Sequence, residues 1–287
     1  MNTTALVPLE TLYEVERGHA LPLPPDLATL YGQLQFPPHP GRPYVIGNFV
    51  TTLDGVVTLN VPGKAGGGPI SGFNQHEHLV MGLLRALADA VIVGAGTLRA
   101  VSPHHRWTAQ FIYPALSDGY QQLRTSLGKP EPPLNVIVTA SGEVDLDLPV
   151  FQSDEDRVLI VTTTQGEKRI HEQSVPPTVQ IASGQRTDIL RAQTIVQAVC
   201  DLRPCDMLLV EGGTRLLGTF LEEGLLDELF LTLSPQIAGR DTTIERPGLV
   251  TGTLFAPERP LWGILVSVKR GRSHLFLRYA FTARELA

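Results

Sequence analysis

A mainly parallel α/β sheet covered by helices on both faces is the fold class that this sequence predicts, and three observations predict it. Short apolar runs rich in Val, Ile and Leu recur along the chain. Amphipathic stretches at helical spacing lie between most of them. The runs are apolar throughout instead of alternating, as strands buried on both faces are.

Residues 1–43 form one compositional unit. Pro8, Pro22, Pro24, Pro25, Pro37, Pro38, Pro40 and Pro43 punctuate it, and proline is excluded from helix interiors and central strands. The expectation is an N-terminal extension with one short helix near 25–32, packed on a main domain of residues 44–287. The first strand of that domain is 44–50, followed by the turn signal Leu53-Asp54-Gly55 and a glycine-rich loop at 61–68. Over 73–89, Leu79, Val80, Leu83, Leu84 and Leu87 share one helical face. That helix feeds a strand at 90–97. Further strands are expected at 135–140, 157–163, 206–213, 227–234, 262–268 and 273–281, with helices near 117–127, 187–202 and 214–223. No helix separates the last two strands, so they are expected to pair as an antiparallel edge.

Composition narrows the function. Of 287 residues, 43% are hydrophobic and 18% charged, which supplies a large core. The net charge of −6 offers no basic footprint for nucleic acid. No apolar run reaches the roughly 18 residues of a membrane span, and the N-terminus lacks a basic start before an apolar core. A cytoplasmic protein with neither nucleic-acid nor membrane partners is expected. Cys200 and Cys205 are the two cysteines, too few for a zinc site or a disulfide framework. In His76-Glu77-His78 the imidazoles stand about 200° apart on a helix, and His104-His105-Arg106 reads as a polar or anion-contacting loop, so no metal site is expected.

In open α/β sheets, ligands bind beyond the carboxyl ends of the strands. Two glycine turns followed by Thr occupy such positions, Gly94-Ala95-Gly96-Thr97 and Glu211-Gly212-Gly213-Thr214. Backbone N–H groups in such turns approach an anion closely, and the helix dipole adds attraction. Ordinary turn chemistry is the alternative. Glu211 emerges from a buried strand, where its carboxylate needs donors from the protein or a ligand; capping a neighbouring turn is the alternative. Asp54 has an Asx-turn as its alternative. Arg85 borders the core, with a surface ion pair as its default role and ligand contact as the other. With neither a nucleophile elbow nor a metal, two anion-binding turns point to a cofactor that performs the hard step.

The segments Asn48–Gly55, Ile70–Gly72, Leu84–Thr97, Leu209–Gly218 and Leu225–Gly239 together resemble the pyrimidine reductase domain of riboflavin biosynthesis. That domain is the C-terminal half of the bacterial deaminase–reductase and stands alone in archaea and fungi. The likeness covers about residues 43–283. It implies a dihydrofolate-reductase-like fold, NADPH as cofactor, a homodimer, and hydride reduction of the ribosyl group of a phosphoribosylamino-pyrimidine to ribityl. It further implies that Thr51 and Thr52 line the nicotinamide. Gly94, Thr97 and the turn carrying Gly212, Gly213, Thr214, Leu216 and Leu217 would hold the cofactor. Glu211, Asp54 and Asn48 would serve catalysis, and Ser71, Arg85 and Arg106 the substrate. Asn48 stands where bacterial members often carry Lys and archaeal members Asn. Thr163 and Thr164, with Lys168 and Arg169, suit the 2′-phosphate because hydroxyls and cations bind it.

Two departures keep alternatives open. After the 94–97 turn the family pattern has two Asp, where this chain has Val101 and Ser102, and Arg106 is only approximately in register. The loop before Ile70 is unusually glycine-rich. The alternatives are a reductase of another carbonyl or pterin-like substrate on the same fold, and a non-catalytic nucleotide-binding homologue.

Overall fold

A computed structural model describes residues 6–61, 63–153, 157–184 and 190–281. The N-terminal segment contributes β1 (Glu10–Glu14), β2 (His19–Ala20), α1 (Pro25–Tyr31) and β3 (Gln35–Phe36). Next come β4 (Tyr44–Thr51), α2 (Gly68–Ser71), α3 (Gln75–Leu87), β5 (Ala90–Gly94), α4 (Ala95–Ala100), α5 (Ala109–Ile112) and α6 (Ser117–Ser126). The middle of the chain carries β6 (Leu134–Thr139), α7 (Pro149–Gln152), β7 (Val158–Thr163), α8 (Thr164–His171), β8 (Val179–Gly184) and α9 (Ala192–Leu202). It closes with β9 (Met207–Gly212), α10 (Thr214–Glu222), β10 (Glu228–Leu233), β11 (Ile264–Gly271) and β12 (His274–Ala280).

Ten strands form one sheet in the order β1-β11-β12-β10-β4-β9-β5-β6-β7-β8. From β10 to β8 every pairing is parallel, and from β10 to β1 every pairing is antiparallel. Period-2 alternation divides the side chains between two cores. Tyr44, Ile46, Leu209, Val91 and Val93 face α1, α3 and α6, whereas Val45, Leu208, Val210 and Ile92 face α9 and α10. Helices therefore cover both faces. Among the described residues no helix is long and apolar enough to cross a membrane.

Several elements depart from the sequence reading. β11 and β12 do pair, but they are not the edge, because β1 adds outside β11. β1 is exposed along its length and lacks the apolar pattern that would have revealed it; backbone hydrogen bonds hold it, and the buried Lys269 binds Thr11 and Glu14. The strand expected at 90–97 stops at Gly94, and Ala95–Thr97 begin α4. β8 and α8 were not anticipated, since their burial patterns are mixed and short. Of the helix expected at 187–202, residues 187–189 lie outside the described residues and α9 starts at Ala192.

α3 positions the site and is pinned at both ends. Asn74 caps its start by accepting from the backbone N–H groups of His76 and Glu77 at 2.9 and 3.1 Å. At its other end the buried Arg124 donates to the carbonyls of Arg85, Ala86 and Ala88, and to that of Glu131. Replacing Arg124 by Met leaves those carbonyls unpaired, and a loss of about 2–3 kcal/mol in urea unfolding is expected. Unchanged stability would mean that water replaces the guanidinium.

Candidate active site

The pairing of Gly47 with Val210 sets Asn48 abreast of Glu211 on the α3 side of the sheet. Glu211 itself sits at an irregularity. Ile92 pairs with Val210 and Val93 with Gly212, so Glu211 is an extra residue between two ladder pairs of β5 and β9. A bulge of this kind re-aims a side chain, and bulges cluster beside active sites.

Arg85 meets Glu211 there. Its side chain leans back along α3 toward the helix N-terminus, as long side chains on helices do. The Arg85 Nε lies 3.1 and 2.9 Å from the two Glu211 carboxylate oxygens, and Nη2 lies 2.8 Å from Oε2. Nη1 donates to the carbonyls of Arg106 and Thr108 at 3.2 and 3.3 Å, and Nη2 approaches His105 Nε2 at 3.4 Å. All five guanidinium donors thus have protein partners. Arg85 is 2% exposed, so the surface ion pair expected as its default is corrected to a buried one. Two of these partners, His105 and Arg106, belong to the segment that departs from the family pattern. Burial, then the charge of Arg85, pushes His105 down to about 3, which keeps its ring neutral; it packs edge-on against Trp107 and Phe111.

Glu77 is the residue that sequence reasoning missed. It was read only as part of a discounted metal motif. Asn74-x-x-Glu77 also matches a capping-box pattern, a signal for the helix start. In the fold Glu77 is buried among Ser71, Glu211 and Arg85. Burial and then the charge of Glu211 push its carboxyl up to about 7, against the lowering effects of Arg85 and of a hydrogen bond with Ser71. The backbone of Ser71 is in turn fixed from β12, where His274 Nε2 meets its carbonyl at 3.0 Å.

Next to Glu211 the glycine turns that end β5 and β9 lie against each other. Gly213 caps α10 at φ +90°, a conformation that favours glycine. A Cβ on Gly94 would stand 3.7 Å from the Gly212 carbonyl oxygen and 3.9 Å from the Gly213 Cα, so the backbones of β5 and β9 face each other directly. Thr97 joins these turns from the first turn of α4, with its side chain against Gly212.

Comparison with known proteins follows from this geometry. The family model for the RibD C-terminal domain matches residues 43–258. The chain belongs to this family. It is 27% identical over 211 residues to the riboflavin biosynthesis protein RibD of Aquifex aeolicus, covering 72% of this chain and 51% of that protein. It is 26% identical over 202 residues to the 2,5-diamino-6-ribosylamino-4(3H)-pyrimidinone 5′-phosphate reductase of Archaeoglobus fulgidus, covering 70% and 84%. The chain thus spans about half the length of the RibD relatives it matches. A pyrimidine reductase-like protein of Corynebacterium diphtheriae has a similar fold, with a TM-score of 0.64 at 21% identity over 83% of this chain and 91% of the other. The mixed, mainly parallel α/β sheet with helices on both faces expected from the sequence is the architecture observed.

This RibD C-terminal domain brings Asn48, Ser71, Arg85 and Glu211 to one side of the strand ends and Gly94, Thr97, Gly212 and Gly213 to the other. Thr51 and Thr52 end β4 nearby and are buried. Thr52 donates to Asp54 at 2.5 Å. Asp54 also accepts from the backbone N–H groups of Ala238 and Gly239, tying its turn to the loop after β10. The Thr52 hydroxyl foremost, then the Ala238 N–H, holds its carboxyl down at about 2. The Thr214 hydroxyl is 2.6 Å from that of Thr251, and the side chains of Leu216 and Leu217 lie in the second core. The Arg106 carbonyl, as noted, accepts from Arg85. Thr163 caps α8 by accepting from Gly166 N–H and donates to the Ala140 carbonyl. It ends β7, and Thr164 begins α8, three strands from β9, or about 14 Å along the same edge.

Proposed function

We propose that this chain is an NADPH-dependent reductase that converts the ribosyl group of a ribosylamino-pyrimidine, or its 5′-phosphate, to ribityl in riboflavin biosynthesis. The observation that carries the reading is the buried Glu211–Arg85 pair on a bulge, next to the glycine turn Gly212-Gly213. A polar, water-poor site and a backbone-lined anion site thereby adjoin at the ends of β9 and β5. The names of the RibD and archaeal reductase relatives support the substrate class.

The glycine turns would take a dinucleotide. Gly94, Gly212, Gly213 and the first turn of α10 would hold its pyrophosphate, where helix-terminal N–H groups favour anions. Thr51 and Thr52 would border the nicotinamide, and the Thr163–Thr164 end of β7 would meet the 2′-phosphate. When bound, the reduced nicotinamide supplies a hydride. The residues on the α3 side have the complementary task of orienting the pyrimidine and managing protons, with Arg85 holding the Glu211 carboxylate in place. Positioning two ligands in this way contributes more to hydride transfer than a strong base does. Residues 44–287 constitute the reductase domain in this reading, with 1–43 as its extension, and the active form is a homodimer in the cytoplasm.

A fluorescence titration with NADPH, with NADH beside it, tests the cofactor assignment, and oxidation of NADPH on adding the phosphoribosylamino-pyrimidine tests the reaction. Selective NADPH binding and pyrimidine-dependent turnover are expected. Glu211→Gln is expected to abolish turnover while NADPH binding persists. Binding of neither nucleotide would reject the reading.

A further inference from the structure

We propose that Arg99 and Arg169 make this chain select NADPH over NADH by binding the 2′-phosphate, with Glu143 as the counter-ion they release for it. The inference rests on the cofactor reading above. It starts from a cavity of about 520 Å³ beyond the carboxyl ends of β5, β6 and β7. Its walls are α4, the connection after β6 and α8. That volume lies within the roughly 300–1,000 Å³ of small-molecule sites. Ala95 lines the cavity and sits in the Gly94–Thr97 turn, so the cavity adjoins the glycine turns assigned to the pyrophosphate. Leu98 and Val144, both buried, give it an apolar wall against which a nucleoside can lie.

Four charged side chains line the cavity, Arg99, Arg169, Glu143 and Asp145. The two arginines reach the same loop from different helices. Arg99 on α4 donates through Nη1 to the Glu143 carbonyl at 3.2 Å. Arg169 on α8 donates through its own Nη1 to the Ser141 carbonyl at 3.4 Å and to Glu143 Oε1 at 2.6 Å. A guanidinium has five N–H donors, and among the described residues these contacts engage Nη1 alone. Nε and Nη2 of both arginines are left for a ligand. Asp145 is engaged in its own turn, where Oδ1 accepts from the Asp147 N–H.

Backbone packing fixes the loop that both cations hold. Gly142 has φ +72°, and a Cβ there would collide with the Gly166 carbonyl. The loop therefore lies directly on the first turn of α8, and the Glu143 backbone is held. Its side chain is not. The side chains of Arg169 and Glu143 are 50% and 64% exposed. An ion pair that exposed contributes little, so a stronger anion displaces the carboxylate readily. A phosphate monoester is such an anion, with roughly two negative charges and oxygens that match an arginine fork. The Thr163 hydroxyl is already engaged with the Gly166 N–H and the Ala140 carbonyl, so the charged contacts fall to the arginines. NADH offers a ribose hydroxyl at the same place, with no charge for them to bind.

Calorimetric titration of the full chain with NADPH, NADH, 2′,5′-ADP and AMP tests the assignment without any turnover. Wild type should bind NADPH at least about tenfold more tightly than NADH, and 2′,5′-ADP more tightly than AMP. Arg99→Ala and Arg169→Ala should each weaken NADPH and 2′,5′-ADP about tenfold and change NADH by less than about twofold. Glu143→Gln should tighten NADPH binding, because Arg169 then has no carboxylate to release. All three side chains are exposed, so melting temperatures should stay near that of wild type. If wild type prefers NADPH and neither arginine variant alters that preference, the proposal is overturned while the cofactor reading stands. Equal losses of NADPH and NADH overturn it too, since the arginines would then shape the cavity without reading the phosphate. Unchanged NADPH affinity in Glu143→Gln overturns the counter-ion role. Binding of neither dinucleotide by wild type removes the cofactor reading and this assignment with it.

Discussion

Arg85→Met is expected to cost about 3–5 kcal/mol of folding stability and to abolish reductase activity. The substitution strands the Glu211 carboxylate in a buried site, and an unpaired buried charge is far more costly than the pair is favourable. Arg85→Lys should recover only part of the loss. A lysine retains the charge, but with three donors it cannot serve the Glu211 oxygens, the carbonyls of Arg106 and Thr108 and the His105 ring together. The double variant Arg85→Met with Glu211→Leu should regain most of the stability, because apolar replacement of a whole buried pair is often neutral or better. It should regain none of the activity. Urea unfolding of the four proteins, with NADPH oxidation measured on each, checks this. A double variant no more stable than Arg85→Met would show that the pair is not the unit that matters.

Gly212→Ala is expected to weaken NADPH binding about tenfold or more and to destabilise the fold by about 1–3 kcal/mol. The added Cβ would stand 2.5 Å from Thr97 Oγ1 and 2.6 Å from its Cγ2. Threonine is short and stiff at χ1, so relief requires movement of the first turn of α4 away from β9. That movement displaces Thr97 from the glycine turns. Thr97→Ala added to Gly212→Ala removes both contacting atoms and should restore stability in part. Unaltered NADPH affinity in Gly212→Ala would place the cofactor elsewhere.

The fold was legible where local pattern and tertiary environment agree. The apolar runs at 44–50, 135–140, 157–163 and 206–213 became buried parallel strands because their composition demands burial on two faces. The helical stripe of Leu79, Leu83, Leu84 and Leu87 became the core face of α3 for the same reason. β1 was not legible, since an exposed strand held by backbone hydrogen bonds leaves little trace in its side chains. At the site, Glu211 and the glycine turns were legible because a carboxylate or a glycine directly after an apolar strand is locally conspicuous. Arg85 was only half-legible: helical spacing placed it at the core border, and its burial became clear only with its partners.

The sequence by itself determined the α/β class, the positions of most strands along the chain and the grouping of the glycine turns at one sheet edge, because these follow from periodicity and turn chemistry within short windows. Only the tertiary structure decided the ionic character of the site. Arg85 and Glu211 are 126 residues apart in the chain. The bulge that displaces Glu211 is a mismatch between two strands, not a property of either. The carboxyl of Glu77 is pushed up because burial and the charge of Glu211 outweigh the opposing charge of Arg85. Desolvation and Coulomb interaction depend on distance in space, and no local pattern encodes which of two buried carboxyls a distant arginine will reach.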